Sequence, residues 1–182
     1  LPNTHSARHL TGKRIRGIVI GMEDTVIIYY SLDGNTDHVA RCIAEKTGAK
    51  LVRLETKRTY PRKGFKKFFI GGRDALFGAQ PELKASFPDL SPFRNIVIGT
   101  PVWASRPAPA INTFLRRAKL DGKRIALFAC SGGGQAETCL NKMESLLAGN
   151  EILCRASFIS PAFKSGKAVD DAIDGILSAL SE

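Results

Sequence analysis

The chain has 182 residues, 43 % of them apolar and 24 % charged, with a mean hydropathy of −0.08 and a net charge of +10. That length fits one domain of about 150 residues, and the composition excludes disorder, collagen and coiled coil. No apolar run approaches the ~20 residues of a membrane span, and no secretory signal pattern is present, so a cytoplasmic protein with no membrane partner is expected.

Residues 1–21 carry Arg8, Lys13, Arg14 and Arg16 and no acid, so four of the ten net positive charges sit there. Met22 stands just before the first strong strand. Residues 1–21 are therefore expected to be a leader or a tail left by expression, and residues 22–182 a single domain; a native basic arm is the alternative. Thr25-Val-Ile-Ile-Tyr-Tyr30 is an apolar run of β-branched and aromatic residues, which predicts a strand covered on both faces. Asn35 to Gly48 predicts a helix, with Val39, Ala40, Ile43 and Ala44 on one side and Gly48 as its stop. Lys50–Glu55 predicts a shorter strand and Asn95–Gly99 another buried one. A helix over Ala110–Ala118 and a strand over Arg124–Cys130 come next. Gln135–Leu147 predicts a helix, Glu151–Ile159 a strand and Lys167–Leu180 the closing helix. Five strands alternating with helices imply right-handed crossovers and a parallel sheet with helices on both faces. In such sheets ligands sit beyond the carboxyl ends of the strands, where strand order reverses. The loops that follow strands therefore carry the chemistry.

The first of these is Ser31-Leu32-Asp33-Gly34-Asn35-Thr36, which opens directly into a helix. A phosphate needs several donors converging on a small sphere, and exposed N–H groups at a helix start supply them. Each such contact to a charged oxygen is worth about 1.5–3 kcal/mol. Ser31, Asn35 and Thr36 can add side-chain donors, and Gly34 permits close approach or a positive φ. The loop is neither a Walker A motif nor Gly-x-Gly-x-x-Gly, which counts against nucleotide hydrolysis and a standard dinucleotide fold. An ordinary turn capped by Asn35 or Thr36 is the alternative.

The second loop, Thr100-Pro101-Val102-Trp103-Ala104-Ser105-Arg106, holds the only tryptophan, and prolines at 101, 107 and 109 stiffen it. A flat ring system needs such a rigid wall, and a stiff loop loses less entropy on binding. The third, Cys130-Ser131-Gly132-Gly133-Gly134, lets the backbone pass close to a ligand with its N–H groups available. Cys130 has no histidine close in sequence, so no nucleophile and no catalytic residue is assigned. Cysteines at 42, 130, 139 and 154 form no C-x-x-C and the three histidines have no neighbouring ligands, so no metal site is expected.

Tyr29-Tyr-Ser-Leu-Asp-Gly-Asn-Thr36 resembles the FMN phosphate loop of the flavodoxin family, whose pattern is Ser/Thr-x-Thr-Gly-Asn-Thr/Ser. Ile98-Gly-Thr-Pro-Val-Trp103 resembles the family's loop beside the flavin ring, and Phe128-Ala-Cys-Ser-Gly-Gly-Gly134 its third flavin loop. Tyr60 to Lys67 is similar to a stretch of the short bacterial flavodoxin-like proteins. The resemblance implies a doubly wound α/β three-layer sandwich with a five-stranded parallel sheet in order 2-1-3-4-5. It implies FMN as cofactor, held by Ser31, Leu32, Asp33, Gly34, Asn35, Thr36, Thr100, Pro101, Val102, Trp103, Ala104, Ser131, Gly132, Gly133 and Gly134. Asp33 stands where the family has Thr, and a carboxylate ~6 Å from a phosphate costs about 3 kcal/mol at an effective dielectric of ~20. It is therefore expected to point away and leave only its N–H to the phosphate.

Residues 57–73 hold Lys57, Arg58, Arg62, Lys63, Lys66, Lys67 and Arg73, interleaved with Tyr60, Phe65, Phe68 and Phe69. Phe65, Phe68, Phe69 and Leu76 share one helical face, which is expected to pack inward. The solvated basic face is a candidate dock for an acidic redox partner, and basic charge with aromatics can also bind single strands. The expected function is FMN-dependent electron transfer with a partner protein or NAD(P)H. The alternatives are an NAD(P)H-dependent FMN or quinone reductase and a basic nucleic-acid-binding module, although no nucleic-acid motif is present.

Overall fold

The computed structural model describes residues 23–61, 70–134, 136–164 and 166–182. The expectations for residues 1–21, for Arg62–Phe69 and for Gln135 lie outside these.

The order of elements is β1 (Thr25–Tyr29), α1 (Asn35–Thr47), β2 (Lys50–Arg53), α2 (Gly72–Leu76), β3 (Asn95–Trp103), β4 (Arg106–Pro107), α3 (Pro109–Arg117), β5 (Arg124–Ser131), α4 (Ala136–Glu144), β6 (Glu151–Ile159) and α5 (Lys167–Ser181). The parallel sheet runs β2-β1-β3-β5-β6, with the two-residue β4 attached antiparallel to β3. This is the expected 2-1-3-4-5 order, because β5 and β6 are the fourth and fifth parallel strands.

Alternation along the strands sorts the core into two layers. Val26, Ile28, Ile96, Ile98, Ile125 and Leu127 pack on α3 and α4. Ile27, Val97, Ala126 and Phe128 face the other way, onto α1 and α5. Successive side chains point to opposite faces, so a strand buried on both must be apolar throughout, as β1 is. The edge strand β6 is only partly buried. Its Arg155 pairs with Glu137 at 2.8 Å and Glu144 at 3.0 Å on α4.

Two details depart from the sequence reading. The strand expected to end at Gly99 continues to Trp103, because Thr100 and Pro101 still pair with Ala129 and Cys130 of β5. Leu76, expected to face inward, is 55 % exposed, because α2 turns Asp74 and Ala75 toward the core instead.

Gly99 is fixed by packing. A Cβ there would lie 2.1 Å from Cζ of Phe128, whose ring is fully buried, so the ring occupies the notch that the glycine leaves. Replacing Gly99 by Ala is expected to destabilise the fold by about 3 kcal/mol, the cost of overpacking a rigid core. Urea unfolding midpoints of the two proteins measure this.

Candidate functional site: a cleft over the ends of three strands

A cleft of about 480 Å³ lies at the carboxyl ends of β1, β3 and β5, a size that suits a cofactor. Ser31, Leu32, Asp33, Asn35 and Thr36 form one end of it. Pro101, Val102, Trp103 and Ala104 form a wall, and Ser131 and Gly132 face them. All three predicted loops thus converge. Thr100, Gly34, Gly133 and Gly134 do not line the cleft. Thr100 is fully buried, and its hydroxyl donates to Pro101 C=O at 3.0 Å and accepts Ala108 N–H at 3.0 Å, so it shapes the loop from beneath.

At the first loop, Gly34 has φ 91°, a left-handed conformation suited to glycine, and stands just before α1. The first hydrogen bond of the helix runs from His38 N–H to Gly34 C=O at 2.9 Å. The N–H groups of Asn35, Thr36 and Asp37 precede it, and no side chain caps the helix. Ser31 Oγ accepts Gly34 N–H at 3.2 Å, which leaves its own proton to donate. Asn35 Oδ1 accepts Ala162 N–H at 3.1 Å and so turns its acceptor away from the cleft. Thr36 Oγ1 is buried with no hydrogen-bond partner among the described residues. The Cys130 thiol leans on it, but a thiol is a weak partner and the contact falls short of a hydrogen bond. An unanswered buried hydroxyl costs about 1–3 kcal/mol. Asp33 is exposed at the cleft mouth, where water screens its charge.

Two charged residues behind this loop were not singled out from the sequence. Arg53, at the end of β2, donates to Ser31 C=O at 2.9 Å and lies 3.6 Å from Asp37. Asp37 accepts the Tyr29 hydroxyl at 2.6 Å and Arg41 Nε at 2.7 Å. Burial pushes the Asp37 carboxyl up, but its bonds from Arg41 and Tyr29, with the charges of Arg41 and Arg53, outweigh this and hold it below the usual range. Burial first, and then the bond to Asp37, push the Tyr29 phenol up to about 12. The Asp37–Arg41 pair has the i, i+4 spacing of a helical ion pair, which is readable in the sequence, whereas the approach of Arg53 depends on the pairing of β1 with β2.

Trp103 stands edge-on to Tyr30 at 5.8 Å and to Tyr60 at 5.1 Å between ring centroids. Tyr60 donates to Asp74 at 3.1 Å, and Arg58 pairs with the same buried carboxylate at 2.8 Å. Gly71 makes room for the indole, since a Cβ there would lie 3.0 Å from it. Ala104 and Ser105 form a tight turn with φ 48° and 61°, and Trp103 pairs with Arg106 across it. Two positive φ values are the type I′ pattern, normally met by Asn-Gly.

At the third loop, Ser131 Oγ accepts Gly134 N–H at 3.0 Å, and Gly134 has φ 101°. Burial pushes the Cys130 thiol up to about 12, so it stays protonated near neutrality and is no nucleophile there. Gly72 also lines the cleft, a position that sequence reading missed. In the basic segment, Lys57 pairs with Glu82 at 2.9 Å and Arg73 lies 3.6 Å from Asp74, so with Arg58 the described cations are engaged.

A family model described as flavodoxin matches residues 24–154, which is most of the chain. The chain belongs to the flavodoxin family. The fold is similar to that of a Lactobacillus acidophilus flavoprotein solved in complex with FMN, at 26 % identity and a TM-score of 0.66, over 80 % of this chain and 99 % of that one. It is similar to a WrbA-like flavodoxin from Agrobacterium tumefaciens, at 19 % identity and a TM-score of 0.56, over 86 % and 95 % of the two chains. It also resembles the Trp repressor binding protein of Bacillus subtilis, at 13 % identity and a TM-score of 0.54, over 82 % and 94 %. In this chain the Thr36 hydroxyl, buried and without a hydrogen-bond partner among the described residues, lies at the cleft end formed by the first loop.

Asp37→Asn is expected to cost about 1–2 kcal/mol at pH 7, mainly by weakening the bond that Tyr29 makes to a charged acceptor. Because the folded Asp37 pKa is lowered, this stability is complete above the unfolded value of about 4. It is lost as pH falls through the lower folded value. The difference in urea stability between the two proteins should therefore be constant from pH 7 down to about 4 and narrow as pH falls further. Ala104→Gly removes the left-handed penalty and is expected to stabilise by about 1 kcal/mol, read as a raised melting temperature.

Proposed function

We propose that the chain binds FMN non-covalently in this cleft and acts as an electron-transfer protein. The observation that carries the reading is the buried Thr36 hydroxyl, without a hydrogen-bond partner among the described residues, beside the uncapped start of α1. A phosphate seated there would answer the hydroxyl and the leading N–H groups together, with the helix dipole adding about 0.3–2 kcal/mol. Ser31 would contribute its proton, and Asn35 its amide N–H. FMN, when bound, supplies the redox chemistry, and the protein supplies position, shielding and field. Trp103, held by Tyr30 and Tyr60, would wall the ring. The N–H groups of the third loop would face its polar edge.

Electron transfer is favoured over proton-coupled catalysis by what the cleft contains. Its only titratable lining groups among the described residues are Asp33 at the mouth and Cys130, which is held as a thiol. No pair of groups is poised to exchange protons with a substrate. A partner protein is the proposed electron source. The competing reading, a reductase that takes hydride from NAD(P)H, predicts turnover of that nucleotide with a quinone acceptor, whereas the carrier predicts none.

The purified protein is expected to be yellow, or to become so on addition of FMN. Thr36→Val is expected to weaken FMN by about 10–100-fold, the value of a hydrogen bond to a charged oxygen. Riboflavin, which lacks the phosphate, should lose little. Quenching of flavin fluorescence measures both. Equal losses would show that the phosphate sits elsewhere, and no flavin binding at all would end the reading.

A further inference from the structure

A second concavity of about 230 Å³ lies behind the β3–β4 hairpin, between α2, α3 and α4. Three cations line it: Arg106 from β4, Arg116 from the last turn of α3 and Lys142 from the last turn of α4. No carboxylate lines it, and none of the three makes an ion pair among the described residues. Elsewhere this chain pairs cations readily, as Arg155, Lys57 and Lys84 do.

Asn112 lines the same pocket from α3. It is only 3 % exposed, yet its side-chain amide makes no hydrogen bond among the described residues. A nearly buried amide is ordinarily satisfied. A guest in the pocket, which Asn112 lines, can answer it. Like-charged side chains gathered around a concavity repel one another unless an anion joins them.

We infer that this pocket is an anion site for a phosphoryl or pyrophosphoryl group, with Arg106, Arg116 and Lys142 as its charge partners and Asn112 as its amide donor. A single carboxylate would leave most of that charge unbalanced. A phosphoryl group offers two charges and several acceptor oxygens, and guanidinium groups meet it with paired donors. The exposed Phe77 ring, 80 % accessible beside the pocket, is placed to cover a base or other flat group attached to that phosphate. The hairpin is the shared partition: Trp103 and Ala104 face the flavin-sized cleft, and Arg106 and Pro107 face the anion pocket. The site does not depend on the flavin reading.

The test is calorimetric titration of the whole chain, in the presence of FMN, with inorganic pyrophosphate and separately with ADP. One equivalent of either is expected to bind. The double variant Arg116→Ala, Lys142→Ala should lose about tenfold or more in affinity. A control with the same charge loss outside the pocket, Arg117→Ala with Lys119→Ala, should lose much less. Tighter binding of ADP than of pyrophosphate assigns the site to a nucleotide, and equal binding assigns it to free phosphate; both support the pocket. Absence of binding, equal losses in the two double variants, or loss with Thr36→Val instead would overturn it. Flavin uptake is followed separately by visible absorbance. A chain that takes no flavin but still binds pyrophosphate through Arg116 and Lys142 would keep this inference and end the other.

Discussion

A helix that begins without a side-chain cap presents its leading N–H groups outward, and the cleft is arranged around one such beginning among the described residues, at Asn35. Most helices resolve this with a Ser, Thr, Asp or Asn side chain at the cap. Here the cap position is Gly34, which has no side chain, and the nearest hydroxyls are otherwise placed. Ser31 is turned toward the Gly34 N–H, and the Thr36 hydroxyl is buried without a partner among the described residues. The sheet delivers this helix start to the edge of the cleft because β1 is central and α1 packs back across it through Val39, Ala40 and Ile43. Protein stability is thereby set aside at a point where a ligand can restore it.

The surrounding charges keep that start rigid without neutralising it. Asp37 could fold back to the leading N–H groups, but Tyr29, Arg41 and Arg53 hold its carboxylate. Arg53 also fastens Ser31 through its carbonyl, so the end of β2 clamps the loop that follows β1. On the opposite wall, Asp74 has the same kind of role at one remove. It fixes Tyr60, and Tyr60 with Tyr30 fixes the plane of Trp103.

Much of this was legible in the residues alone. The runs at 25–30 and 95–99 are apolar and rich in β-branched residues, as doubly covered strands require, the run at 125–130 is continuously apolar, and glycine at 48 marks the end of α1. The three loops could be placed together because parallel topology puts every strand's carboxyl end on one side. The hairpin at 103–106 was not legible, since Ala-Ser carries none of the Asn or Gly that usually signals two positive φ values. The continuation of β3 through Pro101 was hidden for a related reason: proline cannot donate a ladder hydrogen bond, so it reads as a strand stop. Arg53 and Gly72 contribute by where the chain brings them, and short windows of sequence contain no such information. Leu76 misled because its spacing from three phenylalanines suggested one continuous apolar face, whereas α2 spends its buried side on Asp74 and Ala75.

The turns after β1 and β5 are built alike. In each, a serine hydroxyl oxygen takes the N–H of a left-handed glycine three positions on. In each, the carbonyl of that serine is also occupied, Ser31 by Arg53 and Ser131 by the N–H of Ser160. One acceptor site on each of these serine oxygens is thus used internally, while the hydroxyl protons remain to be donated. The interior of the chamber is consequently suited to guests that bring exposed oxygen or pyridine-like nitrogen, while its one carboxylate among the described residues, Asp33, faces water at the mouth.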